Sequence, residues 1–147
     1  MSRVLFDTNI LVSAILNKRS VPYQAFKKAV EPPFCGLICD QNLEELRRVF
    51  TRKFPDRIGA LEQFIAYALS VVEVVPVPRS IHPDEDKIPD INDRPILRAA
   101  IKAGADIIIT GDGDFLDSMV TNPRILTATQ FIQTSWQPYD SIKPTTV

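Results

Sequence analysis

The strongest constraint on this chain is a rhythm. Short runs rich in β-branched and aromatic residues alternate with segments of helical period, and carboxylates follow the runs. Such alternation builds an α/β domain around a parallel sheet, because parallel neighbours need a crossover that is usually helical. The pattern predicts strands at 3–6, 34–39, 73–77, 106–109 and 124–126. It predicts helices over 8–17, 21–30, 40–54, 55–69, 93–103 and 127–134, with a short one capped by Asp112 or Asp114 and reaching about 120. Ser20 and Asp40 are expected N-caps, Pro22 and Pro95 suit first turns, and Gly104 suits a C-cap. The stretch 78–92, rich in proline and acid, is a connection of the length that is often functional or mobile.

The 147 residues suit one domain, expected over 1–136, with 137–147 a loose or docking tail. A domain of this size buries about 68–70% of its unfolded surface, so it needs no disulfide or metal merely to fold. Cys35 and Cys39 cannot build a disulfide framework, and only His82 could join them on zinc. No apolar run approaches the ~20 residues of a membrane span, and the start, MSRVLFDTN, turns polar too early for a signal peptide. A cytoplasmic protein is expected. Net charge is -1, from 17 basic and 18 acidic residues, so no basic surplus announces a nucleic-acid binder.

The positions of the charges say more than their sum. In a parallel sheet the strand-to-helix junctions share the C-terminal edge, where ligands bind at the point of strand-order reversal. Asp7 follows the first strand, Asp40, Glu44 and Glu45 the second, Asp90 and Asp93 the third, and Asp112 and Asp114 the fourth. Helix capping alone could explain Asp40, Asp93 and one of Asp112 and Asp114. Asp40 is left out of the site on that ground. Asp7 is harder to dismiss, because Thr8 or Asn9 beside it could do the capping. Carboxylates about 4 Å apart repel by roughly 4 kcal/mol per pair at an effective dielectric near 20. A cluster of four therefore needs a cation, and an all-oxygen donor set suits Mg²⁺ or Mn²⁺ better than zinc. Such an ion activates water and offsets charge on a phosphoryl group without a histidine base.

The helix after the second strand buries Leu43, Leu46, Val49, Phe50 and Phe54, and Glu44 and Glu45 flank that face at similar angles. Periodicity does not choose between them. Arg47, Arg48, Arg52, Lys53 and Arg57 crowd the same region, and Lys18, Arg19, Lys27 and Lys28 form a second group. They suit a polyanion or simply solvated helix faces.

Four segments together resemble the PIN-domain ribonucleases, and more narrowly the toxin branch of prokaryotic toxin–antitoxin systems. They are Val4-Leu-Phe-Asp-Thr-Asn-Ile-Leu-Val-Ser13, Asn42-Leu-Glu-Glu-Leu-Arg-Arg-Val-Phe50, Asp90-Ile-Asn-Asp-Arg-Pro-Ile-Leu-Arg-Ala-Ala100 and Ala105-Asp-Ile-Ile-Ile-Thr-Gly-Asp-Gly-Asp-Phe-Leu116. The resemblance implies a three-layer α/β/α sandwich with a five-stranded parallel sheet in the order 3-2-1-4-5. It implies catalytic, metal-holding acids at Asp7, Glu45, Asp93 and Asp112, with Asp114 as a frequent additional acid. Asn9, Ser13 and Thr110 match supporting polar positions. The implied chemistry is hydrolysis of RNA with one or two Mg²⁺ or Mn²⁺ ions, the 3′ oxygen leaving to give a 5′ phosphate. The implied partners are an RNA substrate, a small antitoxin over the acidic groove and a second copy of the chain, with no membrane. Arg47, Arg48, Arg52 and Lys53 are the candidate RNA contacts.

Other α/β modules with acids on this edge fit less well. A phosphoacceptor receiver domain wants a lysine after the fifth strand, where Thr127-Ala-Thr129 stands. A haloacid-dehalogenase-type phosphatase wants an aspartate where Asn9 stands. A non-cleaving PIN-fold RNA-binding or scaffold protein and a structure-specific DNA nuclease are the remaining alternatives.

Overall fold

Side chains in β1 (Ser2–Phe6) alternate between two apolar layers, and that alternation organises the molecule. The computed structural model describes residues 1–134. The tail expected over 137–147 and the domain limit at 136 lie outside them. Val4 and Phe6 join one core with Phe26, Phe50, Phe64 and Phe131. Leu5 faces the other side, among Leu37, Ile88, Ile96, Leu97 and Phe115. β4 (Ile107–Ile109) repeats the device, with Ile107 and Ile109 in the first core and Ile108 in the second.

β2 (Phe34–Cys39), β3 (Glu73–Val75) and β5 (Arg124–Leu126) complete a five-stranded sheet in the order β3-β2-β1-β4-β5. Every neighbouring pair is parallel. The order reverses between β1 and β4, as the resemblance implies. Helices α1 (Thr8–Leu16), α2 (Val21–Ala29), α3 (Asp40–Lys53), α4 (Ile58–Val71) and α7 (Ala128–Gln133) contribute to the first core. Helices α5 (Arg94–Lys102) and α6 (Gly113–Leu116) contribute to the second. Among the described residues no helix is long and apolar enough to cross a membrane.

The N-terminal edge of the sheet is pinned by Arg3. Its backbone N–H donates to Asp106 Oδ2 at 2.8 Å, and its guanidinium grips Glu73 with two bonds of 3.0 and 2.9 Å. β1, β3 and the start of β4 are thus tied together at one end, which leaves the opposite edge for the site. α5 is capped at Ala103 and followed by Gly104, whose φ of 70° is the left-handed conformation that carries a penalty for any Cβ. Gly104→Ala should lower stability by about 1–2 kcal/mol in urea titrations, with no effect on the site.

Several local expectations shift. α3 starts at Asp40, but its N-cap is Cys39, whose N–H donates to Asn42 Oδ1 at 2.9 Å. Asp40 instead accepts from the Gln41 and Val77 amides, at 2.8 and 3.2 Å, and so fastens the chain leaving β3. Pro55–Arg57 is a separate 3₁₀ turn before α4, β3 stops two residues short of the expected 77, and α6 ends at Leu116 rather than near 120. The 78–92 stretch holds two further 3₁₀ turns, Pro83–Lys87 and Ile91–Asp93. It is anchored rather than loose. Arg98 of α5 makes two bonds, 2.9 and 2.8 Å, to a Glu85 that is 2% exposed, and a third to Pro78 O. Ile88 from the same stretch is fully buried. His82 serves this connection as a cap, its Nδ1 accepting from the Asp84 amide at 3.0 Å. Cys35 and Cys39 are free thiols, as expected, with Cys39 inside the second core.

Candidate active site

Four chain segments meet at the C-terminal edge of the sheet, and each brings an acid. Asp7 ends the run from β1 and is itself the N-cap of α1, so the cap expected from Thr8 or Asn9 is supplied by the acid. Its Oδ1 accepts from the Thr8 amide at 2.8 Å, and its Oδ2 accepts from the Thr110 hydroxyl at 2.7 Å. Thr110 follows β4, so that bond ties the two strands at the reversal point. Asp7 is only 5% exposed. Burial pushes its carboxyl up to about 6, the two hydrogen bonds oppose the rise, and the charges of Glu45 and Asp112 add to it.

The structure separates the two glutamates of α3. Glu45 is half-buried and accepts from the Thr8 hydroxyl at 2.8 Å, while Glu44 is exposed. Thr8 is held in turn by Asn42, whose side-chain N–H donates to its hydroxyl at 2.9 Å. Asn42 is fully buried. The sequence reading does not single it out, although its place in the first turn of a helix after an acid-bearing junction is a usable signal.

The third junction supplies the most informative side chain. Asp93 occupies the N-cap position of α5 but makes no capping bond. Its Oδ2 is buried and has no hydrogen-bond partner. Capping therefore does not explain this residue. Burial, a shared bond with Asp112 and the charges of Asp7, Asp112 and Asp90 push its carboxyl up to about 8. Asp112 is the N-cap of α6, its Oδ1 accepting from the Asp114 amide at 2.9 Å. The Asp112 amide in turn donates to the Thr110 hydroxyl at 3.0 Å.

Carboxylate oxygens of Asp90, Asp93 and Asp112 lie within 4.8 Å of one another. The sequence places Asp90 at this edge, but the resemblance does not assign it to the site. An open groove of about 430 Å³ borders the cluster and includes Asp7, Asn9, Ser13, Glu45, Asp93 and Lys53 in its walls. Asn9 Oδ1 accepts a long bond of 3.4 Å from the Gly111 amide. Asp114 is exposed and stands outside the three-acid cluster. Arg47, Arg48 and Arg52 are on α3, with Arg48 and Arg52 exposed and Arg47 paired with Glu62 of α4. A second cavity, of about 320 Å³ between α1, α2 and α4, has no carboxylate in its lining.

The donor set is all oxygen and bears several charges in little space. A buried, unpartnered carboxylate oxygen at its centre is costly unless something positive meets it. Both features fit a hard divalent cation such as Mg²⁺ or Mn²⁺.

A family model of the PIN domain matches residues 3–114, a span that holds every one of these acids. The chain belongs to the PIN domain family. Solved structures similar to this PIN domain include VapBC from Salmonella typhimurium bound to DNA. That chain is 19% identical, with a TM-score of 0.64, over 87% of this chain and 99% of that one. VapBC2 from Rickettsia felis, bound to a DNA fragment from its promoter, is 21% identical with a TM-score of 0.58, over 77% and 90%. At these identities the likeness speaks to the fold. No curated protein matches the sequence.

Proposed function

We propose that this PIN domain is an Mg²⁺- or Mn²⁺-dependent endoribonuclease and the toxin component of a toxin–antitoxin pair. The observation that carries the reading is Asp93. It stands at a helix start without capping it, and its buried oxygen lies beside two other acids.

Asp7, Glu45, Asp93 and Asp112 would hold one or two cations, and Asp114 would add its charge at the exposed rim. When bound, the cation lowers the pKa of a water molecule and offsets charge on the phosphoryl oxygens. The residues of the chain do the positioning. Thr110 and the Thr8 amide fix both oxygens of Asp7. The Asn42–Thr8–Glu45 chain of bonds holds Glu45 at the groove wall, where it orients the attacking water. Asn9 and Ser13 offer polar groups to the scissile phosphate from α1. The groove is open on one side, which suits a polymer better than a small molecule.

Lys53 lines that groove, and Arg48 and Arg52 stand exposed nearby in sequence on α3. These cations are the RNA contacts, with Arg47 joining them if RNA displaces its exposed pairing with Glu62. Exposed pairs are worth about 0–1 kcal/mol, so a phosphate can compete. Lys53→Glu together with Arg52→Glu should weaken RNA binding. The slope of log K against log salt should fall by about 0.7 for each phosphate that a cation no longer neutralises. Fluorescence anisotropy over a salt series measures it, and an unchanged slope would return α3 to a solvated face.

The resemblance to toxins, and the VapBC complexes among the similar structures, support a small antitoxin as partner. It would cover the acidic groove, and a basic side chain is the chemistry that the groove favours. A homodimer and a cytoplasmic setting belong to the same reading. The test is incubation of the purified protein with a mixed RNA pool, with and without Mn²⁺, followed by mapping of cut ends. The expected result is Mn²⁺-dependent cleavage leaving 5′ phosphates. Binding without cleavage would instead support an RNA-binding scaffold. Cutting of branched or flapped DNA with RNA left intact would support a structure-specific DNA nuclease.

A further inference from the structure

The geometry points to Asp90 as a direct ligand of the cation, beside Asp93 and Asp112. This assignment rests on the cation-dependent reading above and deepens it, by naming a ligand that the resemblance does not supply. A purely structural role competes with it. Asp90 is the N-cap of the 3₁₀ turn Ile91–Asp93, and its Oδ1 accepts from the Asn92 amide at 2.9 Å. That bond uses one carboxylate oxygen and leaves the other for a second partner.

Asp112 is built the same way, with Oδ1 committed to the Asp114 amide. In both residues the cap fixes the carboxylate plane and leaves the second oxygen to point elsewhere. Asp93 completes the cluster, with a buried oxygen that nothing in the described residues satisfies. The three acids offer ligand atoms within 4.8 Å of one another. Opposite oxygens around Mg²⁺ stand about 4.2 Å apart, from metal–oxygen distances of about 2.1 Å. Only one pair of the three can stand opposite, and adjacent oxygens stand about 3.0 Å apart, so binding would draw the acids inward into one shell. Asp7 contributes differently, because both its oxygens already accept strong bonds from Thr8 and Thr110.

The turn also explains why this acid is well placed. Asp90 and Asp93 are three residues apart across a single 3₁₀ turn, whose i and i+3 side chains eclipse. The Asp93 amide donates to Asp90 O at 3.0 Å, which closes that turn and holds the two carboxylates in register.

The deciding variant is Asp90→Asn, because asparagine caps as well as aspartate and the turn survives. Mn²⁺ binding is read by electron paramagnetic resonance and calorimetry on the full chain, with the exposed Asp117→Asn as a charge-matched control. Asp90→Asn should weaken Mn²⁺ binding by at least about ten-fold, the scale of loss seen when a metal site loses a supporting group. Asp117→Asn should change it only about two- to three-fold, as screened exposed charge does. Unchanged affinity in Asp90→Asn, or equal losses in both variants, would overturn the assignment and leave Asp90 a cap. Wild-type protein that binds no Mn²⁺ would overturn the cation-dependent reading along with it. Melting of each variant without metal checks that the fold is intact.

Discussion

Asp7→Asn should abolish RNA cleavage, by about a hundred-fold or more, while the metal-free protein melts no lower than wild type at about pH 8. The two halves of this result have one cause. Asp7 is almost fully buried between β1 and β4, and its ionised form is held there against desolvation. Lifting a carboxyl from 3.8 to about 6 corresponds to roughly 3 kcal/mol of penalty on the charged form in the fold. Asparagine removes that penalty and still accepts one of the two bonds now made to Thr8 and Thr110. It also removes a negative charge from the cation site. Loss of a group that stabilises charge in a transition state costs about 10²–10³ in rate. End-labelled RNA cleavage and circular-dichroism melting measure the two halves. Full activity in Asp7→Asn would remove the residue from the chemistry, and a collapse of the melt would reduce it to a structural role.

Stability of the metal-free protein should fall as pH rises from about 4 to about 8. Both Asp7 and Asp93 have carboxyls raised in the fold, to about 6 and about 8 from an ordinary 3.8. Between these limits the native state holds more protons than the unfolded chain, so the slope of stability against pH is negative. Below about 4 both states are protonated at these groups, and the contribution levels off. Mn²⁺ or Mg²⁺ reverses the trend. The ion meets the deprotonated carboxylates and stabilises the native state by mass action. The melting temperature should therefore rise with millimolar metal, and rise more at about pH 8 than at about pH 6, where protons compete. Differential scanning calorimetry at the two pH values, with metal and with chelator, tests both signs. A melt indifferent to metal at the higher pH would count against the cation site.

Much of this architecture is legible in the sequence because it is local. The alternation within Val4-Leu-Phe6 and Ile107-Ile-Ile109 assigns strands buried on both faces, and the cores behind them follow. Ser20 caps α2 as its neighbourhood predicts, with its hydroxyl accepting from the Tyr23 amide. The features that are not legible depend on partners distant along the chain. Periodicity leaves Glu44 and Glu45 equivalent, since the choice is made by Thr8, which lies 37 residues from Glu45 and bonds to it. The cap at Cys39 replaces the one expected at Asp40 because Asn42 reaches back and Asp40 is drawn to Val77. Asp90 is placed at this edge by its junction, but its membership of the cluster is not legible for a similar reason. The shared edge follows from the junction pattern, but the approach to within 4.8 Å of Asp112 arises from the fold. The strand order itself comes from the resemblance, as hydropathy says which segments are strands but not which are neighbours.

The clamp between Arg98 and Glu85 reaches further than its own bonds. Arg98 sits one turn along the helix whose first turn follows Asp93, and Glu85 sits on the connection that delivers Asp90. The two carboxylates consequently share a single rigid chassis. A cut or an insertion upstream of the clamp, near the exposed Ile81, would slacken the approach and leave their spacing intact. Severing the Arg98–Glu85 grip would instead let the turn that carries both acids drift as a unit from Asp112, with the backbone still whole.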